Sequence, residues 1–248
     1  MSARFRVLDL LPTPMGDISL RRRHDPALGY EVHEIKLGDE FLMSSAFTAA
    51  EEEMSRLALA EPALPDEGVR VAVGGLGLGF TAQTALADER VAELVVVETL
   101  GPVIEWHREG LIPAGATLSA DDRCSFAHGD FFAIARGDED LAALKPPEGG
   151  PFHAVLLDID HSPSHVLNPA HAAFYTADGL RAFAGRMLTG EGVFALWSND
   201  APDEEFTSLL SQVFASARAE EVRFPNPLQG GESSNTVYVA TGPMNTDA

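Results

Sequence analysis

The chain has 248 residues, 45% apolar and 22% charged, enough to bury one large domain with a small appendage. Lys and Arg number 17 against 38 Asp and Glu, a formal net charge of −21, which disfavours an extended footprint on nucleic acid or on an anionic membrane. The single cysteine, Cys124, rules out an internal disulfide and a Cys-built zinc site. The start MSARFRVLDLLPTPMGD holds no apolar run fit for a signal peptide or a membrane span, so a cytoplasmic protein is expected. So acidic a surface either concentrates cationic ligands or serves solubility, and charge alone does not choose.

Residues 1–45 read as a small β domain of three or four strands. VLDLL is broken by Pro12 and Pro14, ISLRRR runs into the turn HDPALG, and YEVHEIKL meets EFLMSS across Gly38-Asp39, a hairpin signal. The basic run Arg21 to His24 reads as the protection of an edge strand. The spacing of Phe47, Ala50, Met54, Leu57 and Ala58 predicts a helix to Leu59, with Ser44 or Ser45 as its cap, and EPALPDEG is a linker to residue 68. From Val69 the pattern changes. The apolar runs VRVAV, LVVVE, CSFA, HAVLLD and GVFALWS alternate with the helical stretches TAQTALADE, PVIEWHREG, FFAIARGDEDLAAL and PAHAAFYTADGLRAFAGRM. Such alternation means crossovers and a parallel sheet covered on both faces. A helix from Asp203 to Ala217 follows, then AEEVRF and NTVYVA, joined by a loop too short for a crossover and so antiparallel. The expectation is a doubly wound, Rossmann-like, seven-stranded mixed sheet over 69–242, after a small β domain and before a frayed tail at 243–248.

Four strand ends carry the chemistry. Gly74, Gly75, Gly77 and Gly79 leave the first strand and open a helix, letting backbone N–H groups approach a ligand, although the pattern is neither a strict dinucleotide fingerprint nor a P-loop. Glu98 ends the next strand, where a carboxylate holds a ribose diol. Asp130 follows the third strand, placed to accept from an adenine amino group, and Asp158 and Asp160 end the fourth. In a parallel sheet all four ends meet at one edge. His161 is a candidate general base or a loop histidine with no chemical role. A metal site from Asp158, Asp160, His161 and His165 matches no known ligand spacing, so no metal is expected. Trp197, Ser198, Asn199 and Asp200 fall on the same rim.

From Val69 to Ser198 the sequence resembles the class I S-adenosylmethionine-dependent methyltransferase fold and, within it, the spermidine synthase (polyamine aminopropyltransferase) family. VRVAVGGLGLG stands where that family has a strand and a GGGDGG-like turn, and VVVETLGPVIEWHRE for its V-E-I-D and V-I-E helix. HGDFFAIA stands for its G-D-A/G-x-x-F/Y turn, LLDIDHSP for its D-S-S/T-D-P loop, and FYTADGLRAFAGRMLTGEGVFAL for its E-F-Y…L…G-G segment. The N-terminal β appendage also suits this family.

The resemblance implies a cytoplasmic homodimer that moves an aminopropyl group from decarboxylated S-adenosylmethionine to a small-molecule amine. By it, Gly74, Gly75, Gly77 and Gly79 wrap the methionine part of the donor, Glu98 holds the ribose, Asp130 the adenine, and Asp158 orients and helps deprotonate the amine. Three departures stand out. The second loop Asp comes one residue early, at Asp160, with His161 in its place; Leu76 or Leu78 replaces the acid of the glycine turn; and AEEEM, with Glu52 and Glu53 as its nearest acids, replaces a Tyr-His-Glu motif. A methyltransferase using intact S-adenosylmethionine and a non-catalytic scaffold are the alternatives. Asp158 and Asp160 alternate along an extended segment, so their side chains are expected on opposite sides.

Overall fold

The computed structural model describes residues 5–140, 144 and 151–244. Four strands, β1 (Phe5–Thr13), β2 (Gly16–Asp25), β3 (Tyr30–Leu37) and β4 (Glu40–Ser44), form an antiparallel sheet in the order β1-β2-β3-β4. The hairpin turns at Gly38-Asp39 as expected. Pro12 does not break β1: it pairs opposite Asp17 on an edge strand, where a missing N–H is tolerated. The basic run lies on β2, an interior strand, so it does not protect an edge. Arg23 instead neutralises buried Glu34 at 2.6 Å and buried Asp25, and it holds the Asp25 carboxyl below its usual range.

Helix α1 (Ala49–Leu59) follows, with Thr48 rather than a serine at its N-cap position, where the hydroxyl donates to Glu52 at 2.9 Å, and it packs on the large sheet across β8, β9, β10 and β11. That sheet comprises β5 (Val69–Gly74), β6 (Val91–Glu98), β7 (Cys124–His128), β8 (Phe152–Leu157), β9 (Leu188–Ser198), β10 (Phe214–Asn226) and β11 (Gly231–Pro243). The order is β10-β11-β9-β8-β5-β6-β7, with β7 to β9 parallel and β11 antiparallel to both of its neighbours, β9 and β10. Alternate residues of each strand supply two cores. Val71, Val73, Leu94, Val96, Leu156 and Val239 face α1, α2 (Phe80–Leu86) and α3 (Gly101–Arg108). Ala72, Val95, Val97, Leu157, Phe194 and Tyr238 face α5 (Phe131–Arg136), α6 (Ala177–Met187) and α7 (Glu204–Leu210). The short α4 (Gly115–Leu118), not anticipated, packs beside α3.

Three helical expectations need shortening. FFAIAR ends at Gly137, which takes a left-handed φ of 90°; residues 141–143 lie outside the described residues. PAHAAFYTADGLRAFAGRM splits into a 3-10 turn, Pro169–Ala173, and α6, because the Thr176 hydroxyl accepts from Gly179 N–H and starts a new helix. Helix α7 stops at Leu210, and Phe214 to Ala217 join β10, since Phe214 is needed in the core against Phe194. Of the tail expected to fray, Pro243 is the last residue of β11, and residues 245–248 lie outside the described residues.

The chain runs β5, β6, β7 to one side and β8, β9 to the other, so the sheet reverses between β5 and β8, the position where such sheets open a ligand crevice. Backbone contact closes this junction. Asp158 N–H donates to Gly74 O at 2.8 Å, and a Cβ on Gly75, whose φ is 94°, would lie 2.1 Å from Asp158 O. Gly75→Ala is therefore expected to destabilise the fold by roughly 2–5 kcal/mol, from left-handed strain plus the clash, as read from the urea midpoint.

Candidate active site

A cavity of about 730 Å³ opens at the carboxyl edge of the parallel strands, roofed by the N-terminal sheet and by the β10–β11 hairpin. Four carboxylic acids line it: Glu51, Glu98, Asp130 and Asp158. Among the described residues of its wall there is no Lys or Arg. Burial raises the cost of charging Glu51, Glu98 and Asp158, and their partners oppose or reinforce it.

Glu98, at the end of β6, accepts Leu76 N–H at 3.0 Å on one oxygen and Leu100 N–H at 2.8 Å on the other. Burial pushes its carboxyl up and these amides oppose the shift. Asp130 caps α5, its Oδ1 accepting from Phe132 N–H at 2.8 Å and Ala133 N–H at 3.2 Å. The other oxygen has no hydrogen bond within the described residues. Both carboxylates are thus held by backbone amides, and acceptor capacity remains for a ligand's O–H or N–H groups.

Of the four glycines, Gly75 and Gly77 line the cavity. Gly74 ends β5 beneath Leu157 and Phe131, and Gly79 starts α2 against His107 and Leu118, so these two serve packing. Leu76 and Leu78 are buried in the core and do not line the cavity. Met43 of β4 covers the turn: its sulfur accepts from Leu78 N–H at 3.1 Å and sits 2.6 Å from where a Gly77 Cβ would stand. His107, fully buried, bonds Gly77 O at 2.9 Å, and burial lowers its pKa, so a neutral imidazole steadies the turn.

Asp158 and Asp160 do point apart. Asp158 accepts from the Thr81 hydroxyl at 2.8 Å and lines the cavity. Burial pushes its carboxyl up to about 6. Asp160 is buried behind the loop, where Oδ1 accepts from Leu167 N–H at 2.7 Å and binds His171 Nδ1 at 2.9 Å, while Oδ2 accepts from the Tyr175 hydroxyl at 2.8 Å. It braces the loop and does not line the cavity. His161 lines the rim and reaches Glu40 of β4 at 3.1 Å, tying the loop to the N-terminal sheet. Trp197 and Asn199 line the wall; Ser198 is buried, accepting from Asp200 N–H at 3.2 Å.

Sequence reasoning missed Glu51. Glu52 and Glu53 pair with Arg56 at 2.8 and 3.3 Å, whereas Glu51 is 6% exposed and lines the cavity beside Asp158. Burial, reinforced by the Asp158 charge, pushes its carboxyl up to about 8. A helix period of 3.6 places Glu51 with Met54, Ser55 and Ala58 on the buried face of α1, so the signal was present in the apolar spacing. Two acids in one wall oppose each other's ionisation, and the Asp158 charge is part of what holds Glu51 protonated.

No family model matches the sequence, and no curated protein matches it. Its structure is similar to that of spermidine synthase from Thermotoga maritima, with a TM-score of 0.66, 19% identity, and coverage of 95% of this chain and 72% of that one. It is equally similar to a spermidine synthase in complex with the transition-state analogue AdoDATO, with a TM-score of 0.65, 18% identity and the same coverage of 95% and 72%. The chain has the spermidine synthase fold. The N-terminal sheet and the seven-stranded mixed sheet both belong to that likeness. Among the described residues no helix is long and apolar enough to cross a membrane.

Two substitutions separate the acids. Asp160→Ala should lower stability by roughly 2–5 kcal/mol in urea denaturation, because it orphans the Tyr175 hydroxyl and the Leu167 N–H. Glu51→Gln acts through pH. The raised carboxyl favours the folded state only while protonated, and that contribution fades as pH rises from the usual glutamate range through about 8. The variant should match the parent near pH 5 and melt roughly 5–10 °C higher near pH 8 in calorimetry.

Proposed function

We propose that the protein is a transferase moving an aminopropyl group from decarboxylated S-adenosylmethionine to an amine. The observation that carries this reading is the buried Glu51–Asp158 pair in a wall with four acids and no Lys or Arg among its described residues. A sulfonium bearing a free amine is a dication, and such a wall suits it. The intact donor adds a carboxylate, which would enter the same wall without a cationic partner. The likeness to a spermidine synthase that binds AdoDATO supports the same choice.

In this reading Glu98 takes the ribose hydroxyls, Asp130 the adenine amino group, and Gly75 and Gly77 admit the aminopropyl-sulfonium arm, leaving Gly74 and Gly79 to shape the turn. The donor supplies a carbon activated by its positive sulfur. Asp158 receives the acceptor's ammonium proton and orients the nitrogen, with Thr81 fixing the carboxylate. The nitrogen forms its new bond to the carbon beside sulfur, the carbon–sulfur bond breaks, and the electron pair stays on sulfur as neutral methylthioadenosine. A base held near 6 is ionised at neutral pH and still takes a proton readily. Asp160 and His161 act on the loop, Asp160 by its internal bonds and His161 through Glu40.

Calorimetry with decarboxylated S-adenosylmethionine, the intact form and methylthioadenosine tests the donor. Preference for the decarboxylated form is expected; preference for the intact form would make the protein a methyltransferase, and binding of none would leave a scaffold. Asp158→Asn should lower kcat by about 10²–10⁴-fold with methylthioadenosine binding retained. In the parent, kcat should rise with pH through about 6, as Asp158 loses its proton.

A further inference from the structure

Aminopropyl transfer brings two amines to the cavity, the acceptor's nitrogen and the primary ammonium at the end of the donor's arm. A buried ammonium needs a carboxylate. Of the four acids in the wall, Asp130 and Glu98 stand at the ends of β7 and β6 and are held by backbone amides, and Asp158 meets the acceptor. The glycine turn itself offers no acid, because Leu76 and Leu78 lie in the core, and Asp160 points away from the cavity. Glu51 is different. The hydrogen bond on its carboxyl comes from its own backbone N–H, and among the described residues no cation pairs with it.

The position of Glu51 is fixed by the same residue that fixes Asp158. One turn along the same face of α1, the Ser55 hydroxyl donates to Thr81 O at 2.8 Å, and the Thr81 hydroxyl donates to Asp158 at 2.8 Å. Gly75 backs on the Asp158 carbonyl, so a sulfonium over the turn has its reacting carbon beside Asp158. The donor's ammonium lies beyond that carbon by about 4 Å, from bond lengths alone. That separation carries it off Asp158 and onto a neighbouring acid, and Glu51 is close enough for the Asp158 charge to act on it. The exposed rim acids Asp200 and Glu232 follow β9 and stand on β11, with β8 and β9 between them and the turn, and water compensates them there.

We propose that Glu51 holds the primary ammonium of the donor's aminopropyl arm and thereby selects the decarboxylated donor over the intact one. This assignment rests on the aminopropyl-transfer reading and names the residue that sets its donor preference. In the intact donor a carboxylate stands on the very carbon that bears the amine, so it would be pressed against Glu51, and like charges there oppose binding. Pairing also moves a proton. Burial and the Asp158 charge hold the Glu51 carboxyl up at about 8, so at pH 7 it carries its proton. Of the elements packed on α1, which are α2 and β8 to β11, the charge acting on it is that of Asp158, after β8; on its own helix it is Glu52, which Thr48 and Arg56 hold. An ammonium at Glu51 favours the carboxylate, and the proton leaves to solvent.

Calorimetry at pH 7 tests this on the parent and on Glu51→Gln, whose amide copies the protonated acid. Each is titrated with decarboxylated S-adenosylmethionine, the intact form and methylthioadenosine, which keeps the adenosine and sulfur but has no amine. The variant should bind the decarboxylated donor on the order of tenfold or more weakly, bind methylthioadenosine as the parent does, and lose preference over the intact donor by a similar factor. In buffers of different ionisation enthalpy, the parent should release about one proton more with the decarboxylated donor than with methylthioadenosine, and the variant should show no such difference. A variant that keeps the parent's affinity for the decarboxylated donor, or that loses methylthioadenosine to the same degree, overturns the assignment and leaves the aminopropyl reading standing. A parent that prefers the intact donor, or binds no decarboxylated donor, overturns the aminopropyl reading and the assignment with it.

Discussion

Two backbone segments meet at the sheet's point of reversal with no room for a side chain between them. Asp158 donates its N–H to Gly74, and its carbonyl lies where a Cβ on Gly75 would be. This contact brings the glycine turn, the acid after β8 and the hydroxyl of Thr81 into one place. It also orients the segment after β8, so that Asp158 faces the cavity and Asp160 faces the interior. The rest of the site is arranged around that junction, with β6 and β7 on one side and β9, β11 and β10 on the other.

Burial then sets the electrostatics. The chain carries a net charge of −21, and most of its acids lie where water or an arginine compensates them. Glu51 and Asp158 have no arginine in the cavity wall among the described residues: the Thr81 hydroxyl donates to Asp158, and the neighbouring charge raises Glu51 further. Their high proton affinities follow from low local polarity rather than from a special sequence motif.

The N-terminal sheet takes part in this arrangement through a few contacts. Met43 lies over the glycine turn, Glu40 holds His161, and the chain leaving β4 leads into α1, which delivers Glu51. An appendage too small to stand alone thus becomes one wall of the cavity. Its own interior is secured by Arg23 between two buried acids.

Several features were legible from the chain itself because they are local. The alternation of apolar strands and helices, the hairpin at Gly38-Asp39 and the antiparallel end of the sheet follow from periodicity and loop length, and they held. The opposite facing of Asp158 and Asp160 follows from the pleat alone. Other features depend on what lies across space. The continuation of β1 through Pro12 depends on which strand is at the edge, and the early end of α7 on the core's need for Phe214. The division of the glycines into two that line the cavity and two that pack depends on His107, Leu118, Leu157 and Phe131, which are distant in sequence. Of three consecutive glutamates, the apolar spacing puts Glu51 on the buried face of α1 with Met54 and Ala58. The tertiary structure sends Glu51 inward beside Asp158 and leaves its neighbours to Arg56, because only the fold decides which side of α1 meets the cavity.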